Sequence, residues 1–317
     1  PRATRWLLFK FNRKDKIKVK FDGSEWKYKK RDNEYKLQVW DEIKIHLSDN
    51  DFEELMKSPL SISPQGTEET TKTSFNKNDI VFEDADLFIV NKNPWITVHP
   101  GDHKTKETNL IMQVQDYLWD KLNSLTFKPS LIHRIDRDTS GILMIAKKKD
   151  ILTKLVNDFK SHEKVGKTYY AIVLWRLSRE KWTIRKKLLR IEWAKNENKV
   201  QISEKWQTAV THYKLLKEHK LKTNDGDLIL SELEVKIETW RMHQIRVHLA
   251  SIWNPIILDK NYWDKKLNSY FERHFWLNRQ ALHAWKISFF HYTREKQLEL
   301  TANIKKDLVD FIKKIDS

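Results

Sequence analysis

The stretch HRIDRDTSGILMIAK, His133 to Lys147, sets a charged cluster directly before an apolar run. Ile142 to Ala146 reads as a buried strand, and His133 to Gly141 as the loop that feeds it. Arg134, Asp136, Arg137 and Asp138 are poor core material, because each charge must be paired or hydrated. Loops at the mouth of a rigid sheet are where catalytic groups commonly sit. On charge alone a solvated turn with local ion pairs reads as well as an active-site loop, so the rest of the chain has to decide.

Around this stretch the pattern predicts many strands and few helices. Strand-like runs are Ile80–Asp84, Leu87–Lys92, Leu143–Ala146, Thr168–Leu174, Ala209–Leu216, Leu228–Glu238 and Ala284–Phe290. Helical spacing marks Asn109–Leu122, Lys149–Ser161 and His243–Ser251. Strands and helices do not alternate regularly, which predicts an α+β fold with a mixed, largely antiparallel sheet. Three segments are expected: a small basic N-terminal domain over 1–48, a polar linker over 49–78 rich in Ser, Thr and Pro, and a large domain over 79–317.

The 317 residues carry 60 Lys and Arg against 44 Asp and Glu, a net charge of +16, with a pI near 9.6. Such an excess favours a polyanionic partner through counterion release. No apolar run approaches the ~20 residues that span a bilayer. No membrane partner is expected, and the cytoplasm is the default location. The absence of cysteine excludes disulfides and thiolate metal sites. The opening PRATRWLLFKFNRK has too short an apolar core for a signal peptide and lacks Met, so a truncated or processed start is expected.

Six ordered words then give the loop its meaning. They are Asn91–Pro100, the HRIDRDTSG loop, Lys167–Val173, Thr239–His248, Trp253–Trp263 and Arg279–Ala284. In order and spacing the chain resembles the RluA family of pseudouridine synthases, and in particular the large-subunit ribosomal RNA enzymes. Residues 1–48 resemble an S-four-like (αL) RNA-binding module whose first helix is missing. The resemblance implies isomerisation of uridine to pseudouridine in RNA, most directly ribosomal RNA, by a monomer without cofactor or metal. A tRNA target, or a non-catalytic RNA-binding or ribosome-assembly protein on the same fold, remains open.

By motif correspondence Asp136 is the catalytic carboxylate, Arg246 the arginine paired with it, and Tyr169 the active-site tyrosine. Asp138 is the rival acid and Tyr170 the rival tyrosine, although strand alternation sends Tyr169 and Tyr170 to opposite faces. Arg134 corresponds to the arginine that enters the RNA stack when the target nucleotide flips out. Arg241, His243, Lys92 and Lys147 are further candidate RNA contacts, each with a plain solvated face as the alternative. His133, His243 and His248 suggest a metal only weakly, since His243 and His248 lie five apart and no HExxH word occurs.

The sequence has 6 Gly and 14 Trp, where ordinary usage of about 7% would give roughly 22 Gly. Trp stands where the family words have glycine at Trp40, Trp95, Trp175, Trp240, Trp253 and Trp263. A bulky residue forced into the left-handed region costs about 1–2 kcal/mol. Six such exchanges would rival a domain's total stability of about 5–15 kcal/mol. The expectation is that the gene has UGA at these positions, decoded as glycine by its source and rendered as Trp in the sequence as written. The competing reading is an aromatic surface that stacks RNA bases.

Overall fold

The computed structural model describes residues 17–20, 42–46, 48, 75–99, 109–118, 127–193, 197–223, 226–263 and 265–316. The chain divides into two compact units: Pro1–Phe75 with Gln113–Pro129, and Asn76–Met112 with Ser130–Ser317. In the first, β1 (Ile17–Lys20) pairs antiparallel with β2 (Glu42–Ile45), with Ile17 opposite Ile45 and Val19 opposite Ile43. Residues 1–16 and 21–41 of the expected N-terminal domain, Trp40 among them, and the linker up to residue 74 lie outside the described residues.

The second unit is built on one sheet of eleven strands. In chain order they are β3 (Ile80–Glu83), β4 (Leu87–Lys92), β5 (Ser130–Leu131), β6 (Ser140–Ala146) and β7 (Val165–Leu174). Next come β8 (Lys181–Trp193), β9 (Glu197–Ile202), β10 (Gln207–Thr223), β11 (Gly226–Ile237), β12 (Leu282–His291) and β13 (Lys296–Thr301). The sheet order is β3-β4-β6-β12-β7-β11-β10-β8-β9, with β5 on β6 and β13 on β12. Among the described residues β6 and β12 run parallel and the other named strand pairs are antiparallel. The mixed, largely antiparallel α+β fold is therefore present.

The helices are α1 (Leu110–Leu118), α2 (Lys149–Ser161), α3 (Gln244–Ala250), α4 (Lys265–Phe275) and α5 (Lys306–Asp316). The apolar stripes of α2 to α5 close two cores against the sheet. Ile151, Leu155 and Phe159 of α2 pack with Ile142 and Met144 of β6 and Ile287 and Phe289 of β12. Leu249, Phe271, Leu308 and Phe311 of α3, α4 and α5 pack with Ile172, Leu230, Leu233 and Leu282. Sequence reading reproduces α2 but misses β8, β9, β13, α4 and α5. Strand β8 (KWTIRKKLLRIEW) has too many charges for a clean apolar alternation. In α5 the buried Leu308, Phe311 and Ile315 do fall at helical spacing, a readable signal.

One row of residues across the sheet fixes the position of the loop that runs from His133 into β6. Lys92 of β4, Gly141 of β6, Ala284 of β12 and Tyr169 of β7 stand abreast in register. Gly141 has φ +112°, and a Cβ there would lie 2.2 Å from the Ala284 carbonyl oxygen. Only glycine lets β6 approach β12 so closely.

Candidate active site

A cleft of about 660 Å³ opens where the loop between β5 and β6, together with β7, faces the start of α3. Asp136, Arg134, Tyr169, Arg241, His243 and Arg246, all singled out from sequence, line it together. Asp136 opens a tight turn, closed by a 3.2 Å bond from the Thr139 N–H to the Asp136 carbonyl. Its side chain is about one-third exposed.

Arg246 reaches Asp136 from α3. Its Nη1 donates to Asp136 Oδ2 at 3.0 Å, while Nε and Nη2 donate to Asp259 Oδ2 and Oδ1 at 2.7 and 2.9 Å. The guanidinium is thus fixed by a two-pronged pair, which leaves its third edge for Asp136. Burial opposes the charge of Arg246, but the hydrogen bonds and field of Asp259, with the field of Asp136, raise its pKa on balance. Among the described residues Asp136 Oδ1 has no hydrogen-bond partner, so one oxygen is available to a ligand.

Asp259 was matched to a motif but given no role by sequence reading. Beyond Arg246, it accepts from the backbone of Asn261 and Tyr262, so it is itself held in place. Tyr262 faces Arg246 at 5.1 Å and bonds His243 Nδ1 at 2.8 Å through its hydroxyl. His243 Nε2 lies 3.8 Å from Asp136 Oδ2. Burial and the neighbouring Arg246 lower the His243 pKa, so the neutral ring is favoured. His243 adopts φ 53°, a left-handed start to α3 that carries its ring to the cleft. Gln244 fixes the preceding loop, since its Oε1 accepts from Thr239 Oγ1 and the Arg241 N–H. Its Nε2 donates to the Val210 carbonyl and Thr211 Oγ1.

Tyr169 and Tyr170 separate as alternation requires. Tyr169 lines the cleft, and burial with the field of Asp136 raises its pKa. Tyr170 instead donates to Glu232 Oε2 at 2.5 Å and takes no part in the cleft lining. Asp138 accepts from Arg137 Nε at 2.8 Å rather than from Arg246. Arg134 and Arg241 are exposed at the rim.

Two expected RNA contacts are corrected. Lys92 is buried, and its Nζ donates to the carbonyls of Asn93, Ile96 and Arg137 at 2.8, 3.0 and 2.7 Å. Its three donors are consumed in tying two loops together. Burial pushes its pKa down to about 7. Lys147 is nearly buried and donates to the Asp84 carbonyl at 2.7 Å and Glu83 Oε1 at 3.3 Å. Both lysines are structural because a polar or acidic partner lies inside the fold, which a sequence position cannot reveal.

Sequence reading also passed over Lys167, which lines the cleft with its Nζ 4.7 Å from the rings of both Phe159 and Trp240. Burial lowers its pKa to about 7. His133, His243 and His248 are not gathered around one point: His133 stacks on Phe159, and His248 bonds Thr211. The group Asp84, Asp86 and His291 is close enough to hold a cation, but Lys148 and Arg294 already neutralise its carboxylates.

The sequence profile of the family described as RNA pseudouridylate synthase matches residues 86–251, which spans the turn at Asp136, the strand of Tyr169 and the helix of Arg246. The chain belongs to this family. Ribosomal large subunit pseudouridine synthase C of Buchnera aphidicola subsp. Baizongia pistaciae is 34% identical over 86% of this chain and 80% of that one. A tRNA pseudouridine synthase C of Vibrio parahaemolyticus is 32% identical over 71% of this chain and 90% of that one. The solved human RNA pseudouridylate synthase domain containing 4 shares the fold with a TM-score of 0.59 at 20% identity, covering 75% of this chain and 93% of that one. A pseudouridine synthase is an isomerase of RNA uridines, so this chain is an RNA-modifying enzyme. No helix among the described residues is long and apolar enough to cross a membrane.

Proposed function

We propose that this enzyme acts on uridine in large-subunit ribosomal RNA, with Asp136, Arg246 and Tyr169 as its catalytic centre. The supporting observation is a half-open carboxylate at the cleft floor, held by an arginine that is itself locked by Asp259. The reaction breaks the bond between uracil N1 and the ribose anomeric carbon, turns the base, and rejoins it through C5. The C5 proton is then lost and the freed N1 takes up a proton, so atoms balance without any co-reactant. Arg246 holds Asp136 Oδ2 in place beside the sugar through its Nη1 contact and leaves Oδ1 free to meet it. The Tyr169 ring packs on the detached base. Arg134, exposed at the rim, fills the space left in the RNA stack when the nucleotide flips into the cleft. Arg241 meets phosphate beside it.

Release of tritium from ribosomal RNA labelled at uracil C5 tests this reading directly. Wild type is expected to release label, and Asp136→Asn to bind RNA with similar affinity while releasing none. A folded wild-type chain that binds RNA yet releases no label from ribosomal or transfer RNA would return the protein to the binding-only class. Release from transfer RNA alone would move the target.

A further inference from the structure

The tryptophans that replace expected glycines do not fit the backbone they occupy. Trp95, Trp175, Trp253 and Trp276 have φ of 67°, 65°, 65° and 60°. They make up four of the eight non-glycine residues with positive φ among those described. A bulky side chain is a true outlier there.

The local geometry at three of these positions is of a kind that calls for glycine. The Trp253 N–H bonds the Ala250 carbonyl and the Asn254 N–H the Leu249 carbonyl, both at 3.1 Å. These two bonds form the helix-ending motif whose left-handed residue is usually glycine, and Trp253 is that residue. Trp276 directly follows α4 and is left-handed, the same capping position at another helix end. Trp95 follows Pro94 in a turn, and a turn with Pro first and positive φ second is the type that takes glycine second. Trp253 and Trp276 are 78% and 88% exposed, so packing does not hold these indoles in place.

Trp240 and Trp263 misfit in a different way. Each is partly buried with an indole N–H that has no hydrogen-bond partner. Buried donors are nearly always satisfied in native folds. The Trp240 indole also packs against Phe159, His162 and Lys167 at the cleft edge. Trp182 and Trp285, on β8 and β12, show neither misfit.

We propose that the working protein carries glycine, not tryptophan, at positions 95, 175, 240, 253, 263 and 276, through one codon read as glycine. Trp276 joins the set on backbone geometry alone. An aromatic RNA-stacking surface is the weaker account, since stacking requires no left-handed backbone. Glycine at 95 removes the ring that lies 5.7 Å from the Arg137 guanidinium beside the catalytic turn. Glycine at 240 uncovers Lys167 toward the cleft, adding a cation where the RNA backbone enters.

Peptide mass spectrometry of the protein purified from the organism that carries the gene decides the matter, whatever the enzyme's substrate. Peptides spanning the six positions are expected to show glycine, at sites where the gene has UGA. Tryptophan at any of the four left-handed positions, or a UGG codon there, would overturn the proposal. A recombinant pair gives a second readout: the chain carrying all six Trp→Gly exchanges should melt at the higher temperature. A chain as written that melts equally high or higher would count against it.

Discussion

At Arg246 three hydrogen bonds divide between two carboxylates, and that division explains why the residue is arginine. Asp259 takes Nε and Nη2, so the plane of the guanidinium is set before substrate arrives. Nη1 is then aimed at Asp136 without further loss of freedom. A lysine can supply the charge but not the fork. Arg246→Lys should therefore lower kcat about a hundredfold, in line with the removal of one preorganised charge contact. Its KM for RNA should change little. Steady-state kinetics on labelled RNA check this, and an unchanged kcat would mean that charge alone suffices. The partners of this residue differ in how legible they were. Asp136, Arg246 and Tyr169 stand in words whose residue order is characteristic. The role of Asp259 depends on a contact between α3 and the loop after it, and no spacing encodes such a contact.

At the level of elements, the Asp136–Thr139 turn is a rigid platform tied to the sheet at several points. Lys92 Nζ holds the Arg137 carbonyl, Gln280 Nε2 holds Thr139 Oγ1 at 2.6 Å, and Ser140 Oγ bonds His283 Nδ1 at 2.8 Å. Lys92→Met would leave three partly buried carbonyls without their donor, each orphan costing up to about 1–3 kcal/mol. We expect a loss of at least about 2 kcal/mol in denaturant unfolding, together with lower kcat, because the turn that carries Asp136 loosens. Retained stability would show that water replaces the ammonium. Gly141→Ala attacks the same platform from the sheet. The new Cβ would meet the Ala284 carbonyl oxygen at 2.2 Å, in a backbone that alanine rarely adopts. Strain and overpacking together should cost about 3 kcal/mol or more. They should also shift Tyr169, which pairs with Ala284 on the far side of β12. A circular-dichroism melt and the tritium assay would read the two effects separately, and a wild-type melt would contradict the close approach. Elements such as α2 were legible because their apolar stripe is local. The abreast row of Lys92, Gly141, Ala284 and Tyr169 was not, because strand order is a property of the whole sheet.

For the whole molecule, sequence conveyed class and chemistry better than it conveyed burial. The α+β class follows from patterns along the chain, and the cleft residues from the family resemblance of its words. The fate of Lys92 and Lys147 depends on which sheet positions receive no water, and a charge count of +16 is blind to that. Burial of cationic groups has a consequence for stability against pH. His248 and His283 are buried, and desolvation pushes both pKa values from 6.5 down to about 4. Between these values the unfolded chain binds more protons than the folded one, so stability must rise with pH and fall as acid is added. The window is pH 6.5 down to 4, and the contribution lost across it is about 3 kcal/mol for each ring. The lowered carboxylates Asp84 and Asp86 act elsewhere, since their folded pKa values lie below 3.8. Lys92 and Lys167, pushed from 10.5 to about 7, add a slope of the same sign on the alkaline side. Urea unfolding at steps from pH 7 to pH 4 should therefore show a steep loss across that window. His248→Gln and His283→Gln should each remove part of that slope. A stability that stays flat down to pH 4 would mean that both rings are protonated in the fold with partners that stabilise the charge.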